Sequence, residues 1–236
     1  MADRQQLGAV DGAAKSKRGV VEPSHPSAEP FRGLRLALEL RHETRRGNVV
    51  VFTSASPSEG KSTIAANYAL IAAMKQQRVL LIDGDVRHPS LHETFHVARA
   101  PGLVDVLAGD IAPGDVHQVK SLGSLELLTA GRSVPGIGDL MSSERMHTFV
   151  ASAAERYALV VIDTPPVLAV SDAASIATRT DADVVLVVDR NSRRRSVIRA
   201  LRELELVNAN VVGIVLNHEG SLARYGYGYG EAVKSA

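Results

Sequence analysis

Six short runs rich in Val, Ile and Leu punctuate this chain, at Val49–Thr53, Val79–Asp83, Leu125–Thr129, Leu159–Asp163, Val184–Val188 and Val211–Leu216. They are close to continuous rather than alternating, the pattern of strands buried on both faces. Stretches near 62–75, 139–156, 172–180 and 193–207 lie between them and carry apolar residues at helical spacing. Parallel strands need such crossovers, because a short hairpin cannot return the chain to the same end of a sheet. The expected fold is therefore α/β, doubly wound around a mostly parallel sheet. In such a fold the ligand site belongs at the carboxyl ends of the strands.

Length and composition narrow the function classes. A chain of 236 residues, 45% hydrophobic and 22% charged, can bury one large core. Lys and Arg total 27 against 26 for Asp and Glu, so no global field points to a nucleic-acid partner. With no cysteine there is no disulfide, no thiolate zinc site and no thiol nucleophile. Runs such as Val184–Val188 are too short to cross a bilayer, and the first residues lack the apolar segment of a signal peptide. These features predict a cytoplasmic protein. Residues 1–28, rich in Ala, Gly, Ser, Lys and Pro, read as a flexible arm, residues 29–220 as the folded domain and residues 221–236 as a flexible tyrosine-rich tail. Pro30 at a first-turn position, followed by Phe31, Leu34 and Leu38, predicts a helix at the domain's start.

The first run leads into Ser54-Ala55-Ser56-Pro57-Ser58-Glu59-Gly60-Lys61-Ser62-Thr63 and then an Ala-rich helix. Strand, loop, Gly-Lys-Ser and helix form the context of a nucleotide phosphate loop, the mark of a P-loop NTPase type of fold. Ser56, Pro57, Ser58, Glu59, Gly60, Lys61, Ser62 and Thr63 would bind ATP, the loop's backbone N–H groups and the helix N-terminus cradling its phosphates. Lys61 would reach the β- and γ-phosphates and Ser62 would ligate Mg²⁺. One departure is visible, since Ala55 occupies the place of the pattern's first Gly. Two further strands end in acids: Ile82-Asp83-Gly84-Asp85, and Ile162-Asp163-Thr164-Pro165-Pro166. Three carboxylates facing a triphosphate repel it unless a hard divalent cation sits between them, so ATP with Mg²⁺ is the expected cofactor pair.

In this order the motifs resemble the bacterial tyrosine kinase family, over about residues 27–230. The resemblance rests on the phosphate loop, on Asp-Gly-Asp-Val-Arg-His-Pro from Asp83 and on Ile-Asp-Thr-Pro-Pro from Ile162. Lesser matches are Gly102-Leu103-Val104-Asp105-Val106-Leu107, Leu127-Leu128-Thr129-Ala130-Gly131 and Val212-Gly213-Ile214-Val215-Leu216-Asn217. It implies ATP-dependent tyrosine autophosphorylation linked to polysaccharide synthesis or export. By resemblance Asp83 positions or deprotonates the tyrosine hydroxyl, Asp85 and Asp163 hold Mg²⁺ and Asn217 contacts adenine. Glu29-x-x-Arg32-x-x-Arg35 is similar to the family's oligomerisation motif, through which subunits form a ring. Tyr225, Tyr227 and Tyr229, alternating with glycines, are similar to its autophosphorylated tail.

The resemblance also implies partners: further copies of the chain, a separate transmembrane activator or polysaccharide co-polymerase, and a protein-tyrosine phosphatase. The chain would then sit at the inner face of the cell membrane through that activator. Gly136-Ile137-Gly138-Asp139 replaces a common Asn-Pro element, which alters the loop before the helix near 140. The competing reading is a partitioning or site-selection ATPase. Those switches carry a second lysine five residues before the phosphate-loop lysine, where this chain has Ser56.

Overall fold

The computed structural model describes residues 19–42, 47–75, 77–111, 117–118 and 124–217. After a 3-10 turn, Pro26–Ala28, the elements run α1 (Glu29–His42), β1 (Val49–Ser54), α2 (Lys61–Ala73), β2 (Val79–Asp83), α3 (Leu91–Thr94) and α4 (Leu103–Ala108). They continue with β3 (His117–Gln118), β4 (Leu125–Leu128), α5 (Ile137–Met141), α6 (Glu144–Arg156), β5 (Leu159–Asp163), α7 (Asp172–Arg179), β6 (Asp183–Asp189), α8 (Arg194–Leu206) and β7 (Asn210–Asn217). All six expected strands form, and they join one sheet in the order β3-β4-β2-β5-β1-β6-β7. Those six are mutually parallel, while the two-residue β3 pairs antiparallel with β4 at the edge.

Successive strand side chains face opposite ways, so β1 divides its apolar residues between two cores. Val50 and Phe52 pack beneath α1, α2 and α3 with Ile64, Tyr68, Leu38 and Leu91. Val49 and Val51 face the opposite layer, where α4 through α8 contribute Leu107, Met141, Val150, Ile176 and Leu204. Each such side chain, fully buried, contributes on the order of 1.5–3 kcal/mol. The Ala-rich α2 is buried almost all round because α1 covers its outer side.

The sequence reading differs from the structure in three places. The helix expected at 139–156 breaks into α5 and α6, because Ser143 caps a new helix by accepting a hydrogen bond from Met146 N. The short α3, α4 and β3 went unforeseen. Residues 19–28, read as part of a loose arm, pack on α2. There Asn67 accepts from Val21 N at 2.7 Å and donates to Gly19 O at 2.8 Å, and Ala28 is buried.

Candidate active site

The carboxyl ends of β1, β2 and β5 meet around the amino end of α2. The loop between β1 and α2 turns at Ser58 (φ 64°) and Gly60 (φ 86°), both left-handed. Gly60 has a second reason to be glycine: a Cβ there would lie 2.1 Å from Asn217 Nδ2. Ala55 is buried and does not adopt a positive φ, so the missing glycine costs the loop no strain at that position. The strand ends are laced together. Thr53 Oγ1 donates to Pro165 O at 2.9 Å, Thr164 Oγ1 to Phe52 O at 2.9 Å, and Val167 N to Ser54 O at 2.9 Å.

The register places Asp83 directly beside Asp163 on adjacent strands. Gly84 permits this closeness: its N–H donates to Asp163 O at 2.7 Å, and a Cβ would press on the same oxygen at 2.7 Å. Lys61 then joins the cluster, 2.8 Å from Asp85 Oδ2 and 3.8 Å from Asp163 Oδ1, and it donates to Ser62 Oγ at 3.2 Å. Asp85 Oδ1 accepts from His88 N at 3.1 Å, and Asp83 Oδ2 accepts from Ser90 N and Leu91 N at 3.1 and 3.0 Å. The structure thus brings together Lys61, Ser62, Asp83, Asp85 and Asp163 as expected from the motifs.

Three carboxylates share one ammonium, and the electrostatics follow. Burial works against the Lys61 charge, but Asp163, Asp85 and Asp83 outweigh it and hold its pKa above the ordinary lysine value. Burial pushes Asp83 well above the carboxylate range, and the neighbouring Asp163 adds to the shift. Asp163 is raised as well, chiefly by burial, with Lys61 and Ser62 pulling the other way. Asp83 Oδ1 is buried with no hydrogen-bond partner, and the buried Asp163 oxygens have only the looser approach of Lys61 and Ser62. Buried acceptors of this kind suit a divalent cation, which satisfies their lone pairs and cancels their charge. Among the described residues no three His, Cys, Asp or Glu form a metal cage of their own. That accords with Mg²⁺, which takes one or two carboxylates and completes its shell with phosphate and water.

Removing one of these charges should stabilise the domain in metal-free buffer. Asp83→Asn keeps an acceptor for Ser90 and Leu91 and is expected to add about 1–2 kcal/mol at pH 8, or roughly 3–6 °C in Tm. A carboxyl whose folded pKa is raised contributes stability below its unfolded pKa and loses it as pH rises through the folded value. The gain should therefore shrink as pH falls and vanish only below the ordinary aspartate value of about 3.9, where Asp83 is protonated in both states. Thermal melts across that range check it, and a gain that grows on acidification contradicts the sign.

Other expected residues are placed as follows. Pro57, Ser58 and Thr63 are exposed around the loop, and Ser56 is half-buried. Asn217, expected at adenine, donates through its amide to Glu59 O at 3.1 Å and so packs on the phosphate loop. Glu29 and Arg32 pair with one another at 2.5 Å on an exposed face of α1. Arg35 turns inward to Glu39 at 2.9 Å, and Glu39 also holds Lys75 at 2.8 Å. Tyr225, Tyr227 and Tyr229 lie outside the described residues. Two of the three lesser motifs form one joint: Leu103 N and Val104 N donate to Thr129 O and Ala130 O, at 2.7 and 3.0 Å. Gly102 is obligatory there, since a Cβ would lie 2.3 Å from Thr129 O. Sequence reasoning missed the buried Glu59 side chain, which accepts hydrogen bonds from Ser56 N and Ser192 Oγ. It also missed Leu36 and Leu40, exposed on α1 in line with Glu29 and Arg32.

Residues 46–225 match the ParA family, described as NUBPL iron-transfer P-loop NTPase. The tyrosine-protein kinase YwqD of Bacillus subtilis is 32% identical over 219 residues, covering 92% of each chain. The chain belongs to the bacterial tyrosine-protein kinase family. Within that family the putative tyrosine-protein kinase EpsB of Ralstonia nicotianae is 38% identical over 209 residues, 87% of this chain. The match spans 28% of EpsB's own length. The solved kinase domain of Escherichia coli tyrosine kinase ETK has 29% identity and a TM-score of 0.82, covering 97% of this chain and 89% of that one.

Proposed function

We propose that this chain is an ATP-dependent protein-tyrosine autokinase whose acceptors are Tyr225, Tyr227 and Tyr229. The observation that carries the reading is the convergence of Lys61 with Asp83, Asp85 and Asp163 at the mouth of a phosphate loop, in a chain of this family. Phosphoryl transfer has a loose transition state, so catalysis is mostly positioning and charge neutralisation. Lys61 and the loop amides bind the transferred phosphoryl group. Ser62, Asp85 and Asp163 would hold Mg²⁺, which supplies positive charge between carboxylate and phosphate oxygens. Asp83 orients the acceptor hydroxyl. A phenol has a pKa near 10, so even a raised Asp83 takes its proton late rather than in the ground state. Burial supports the tail acceptors: of five tyrosines, Tyr68 is 1% exposed and Tyr157 5%, so neither is open to a kinase.

The same reading places the protein in polysaccharide synthesis or export, at the inner face of the membrane, with a transmembrane activator and a phosphatase as partners. No helix among the described residues is long and apolar enough to cross a membrane itself. Copies of the chain assemble through α1 into a ring. Glu29, Arg32, Leu36 and Leu40 recur at i, i+3, i+7 and i+11 and form one stripe, with Met74 of similar exposure at the end of α2. Replacing Leu36 and Leu40 by Lys should convert the oligomer to monomer, as should replacing Glu29 and Arg32 by Ala. Arg35→Ala should instead leave the mass unchanged and cost about 1 kcal/mol of stability or less. Light scattering at fixed concentration, with melts alongside, distinguishes the two effects.

The decisive experiment incubates purified protein with Mg·ATP, with and without a cytoplasmic peptide of a candidate activator, and maps phosphotyrosine. Modified tail tyrosines are expected. ATP hydrolysis without any phosphotyrosine, under both conditions, would establish the nucleotide-switch reading instead.

A further inference from the structure

The nucleotide's orientation follows from strand order. The loop belongs to β1, and the acids belong to β5 and β2 on one side of it. A triphosphate seated on the loop with its metal toward those acids must carry its sugar and base over the other side. That side is formed by the ends of β6 and β7 and the segment joining β6 to α8.

Glu59 joins the two halves. It is 4% exposed although it lies within the phosphate loop. One carboxylate oxygen accepts from Ser56 N at 2.9 Å, inside the loop, and the other accepts the Ser192 hydroxyl, across from β6. Ser192 is itself fixed: its Oγ accepts from Asp189 N at 3.0 Å and its N–H donates to Asp189 O at 2.9 Å. From β7, Asn217 Nδ2 donates to Glu59 O at 3.1 Å and rests on Gly60, while Asn217 O accepts from Arg190 N at 3.3 Å. Phosphate loop, β6–α8 segment and β7 end therefore form one closed network with Glu59 at its centre. A buried carboxylate is costly unless its hydrogen bonds are made, so the loop keeps this shape only while the base-side segment stays in place.

We propose that Glu59 is a positioning residue that couples the base-side segment 189–192 to the phosphate loop, so that base and phosphates are bound as one unit. The chemistry fits a nucleoside triphosphate and predicts poor retention of a triphosphate without its base. This inference rests on nucleotide binding alone. It survives if phosphotyrosine is never found, and the kinase reading survives if it fails.

The test measures equilibrium binding of fluorescent ATP, and of inorganic tripolyphosphate by competition, to the full chain and to Glu59→Ala, Ser192→Ala and the double variant. Each single change should weaken ATP about ten- to hundredfold, the range for a hydrogen bond to a charged acceptor. The double variant should be no weaker than the worse single, because both changes break the same link. Tripolyphosphate should lose less than ATP, narrowing the preference for the nucleotide. Glu59→Gln, able to accept from Ser56 and donate to Ser192, should recover part of the loss. Circular dichroism of each variant separates misfolding from weakened binding. Strictly additive losses, equal losses for the two probes, or wild-type affinity in Glu59→Ala would each overturn the proposal.

Discussion

Lys61→Met is expected to lower tail phosphorylation by at least two to three decades, the usual loss when a preorganised charge-stabilising group is removed (about 3–4 kcal/mol). The effect should be as large as any single change can produce, because Lys61 is the sole cation seen within 4 Å of Asp85 and Asp163 among the described residues. Its loss leaves three buried or near-buried carboxylates facing incoming phosphates. Asp83→Asn should also cut the rate heavily, yet ATP binding should persist, because Asp83 is anchored by Ser90 and Leu91 rather than by Lys61. Quantitative mass spectrometry of tail peptides, beside fluorescent-ATP titration, measures both. Near wild-type phosphotyrosine in Lys61→Met would remove the kinase assignment. Loss of ATP binding in Asp83→Asn would give that residue a metal-holding role.

Changing Tyr225, Tyr227 and Tyr229 together to Phe should eliminate phosphotyrosine while ATP hydrolysis continues. The two remaining tyrosines are inside the fold. The Tyr68 ring packs at a tilt against Phe52, 5.3 Å between centroids, in the core, where burial drives its phenol pKa far up. Tyr157 donates to Glu126 at 2.5 Å beneath Arg78, and burial with that carboxylate pushes its pKa up to about 12. In the unsubstituted chain each phosphate adds about −1.5 to −2 charge, so a fully modified tail carries roughly −5. Such a tail is repelled by a site containing Asp83, Asp85 and Asp163 once nucleotide and metal leave. Fully phosphorylated protein is therefore expected as monomer, and the Phe variant as a persistent ring. Phosphate on Tyr68 or Tyr157, or a stable ring bearing three tail phosphates, would contradict this.

The parts legible in the sequence are those that local pattern dictates. Continuous apolar runs encode a doubly covered parallel sheet, and Gly60-Lys61-Ser62 after a strand encodes the loop. Asp83 and Asp163 could be paired from their places at strand ends, since strands of a parallel sheet stop along one edge. What escaped depends on partners distant in sequence. Arg35 belongs to the same spaced motif as Glu29 and Arg32, but Glu39 draws it inward, and Glu39 is itself held by Lys75 from the turn after α2. Glu59 entered the sequence reading only as a residue of the phosphate loop, and its side chain is held by Ser192 from across the sheet, 133 residues away. Ala55 read as a departure whose effect the motif could not settle, because the motif does not say which loop residues are left-handed, and here they are Ser58 and Gly60. The break at Ser143 had a local signal, Ser followed by Glu144, that a continuous apolar period overrode.

The central place of β1 also sets a timetable for biosynthesis. β1 leaves the ribosome early, yet its two neighbours are β5 and β6: Val50 pairs with Val161 on one side and Asp183 on the other. The nascent chain thus holds this apolar strand without either edge satisfied until most of the domain has been translated. Pairings so distant along the chain form slowly and leave hydrophobic surface exposed to chaperones and to aggregation meanwhile. Nucleotide capture is consequently a late event, and fragments ending before Asp183 should emerge unable to bind ATP.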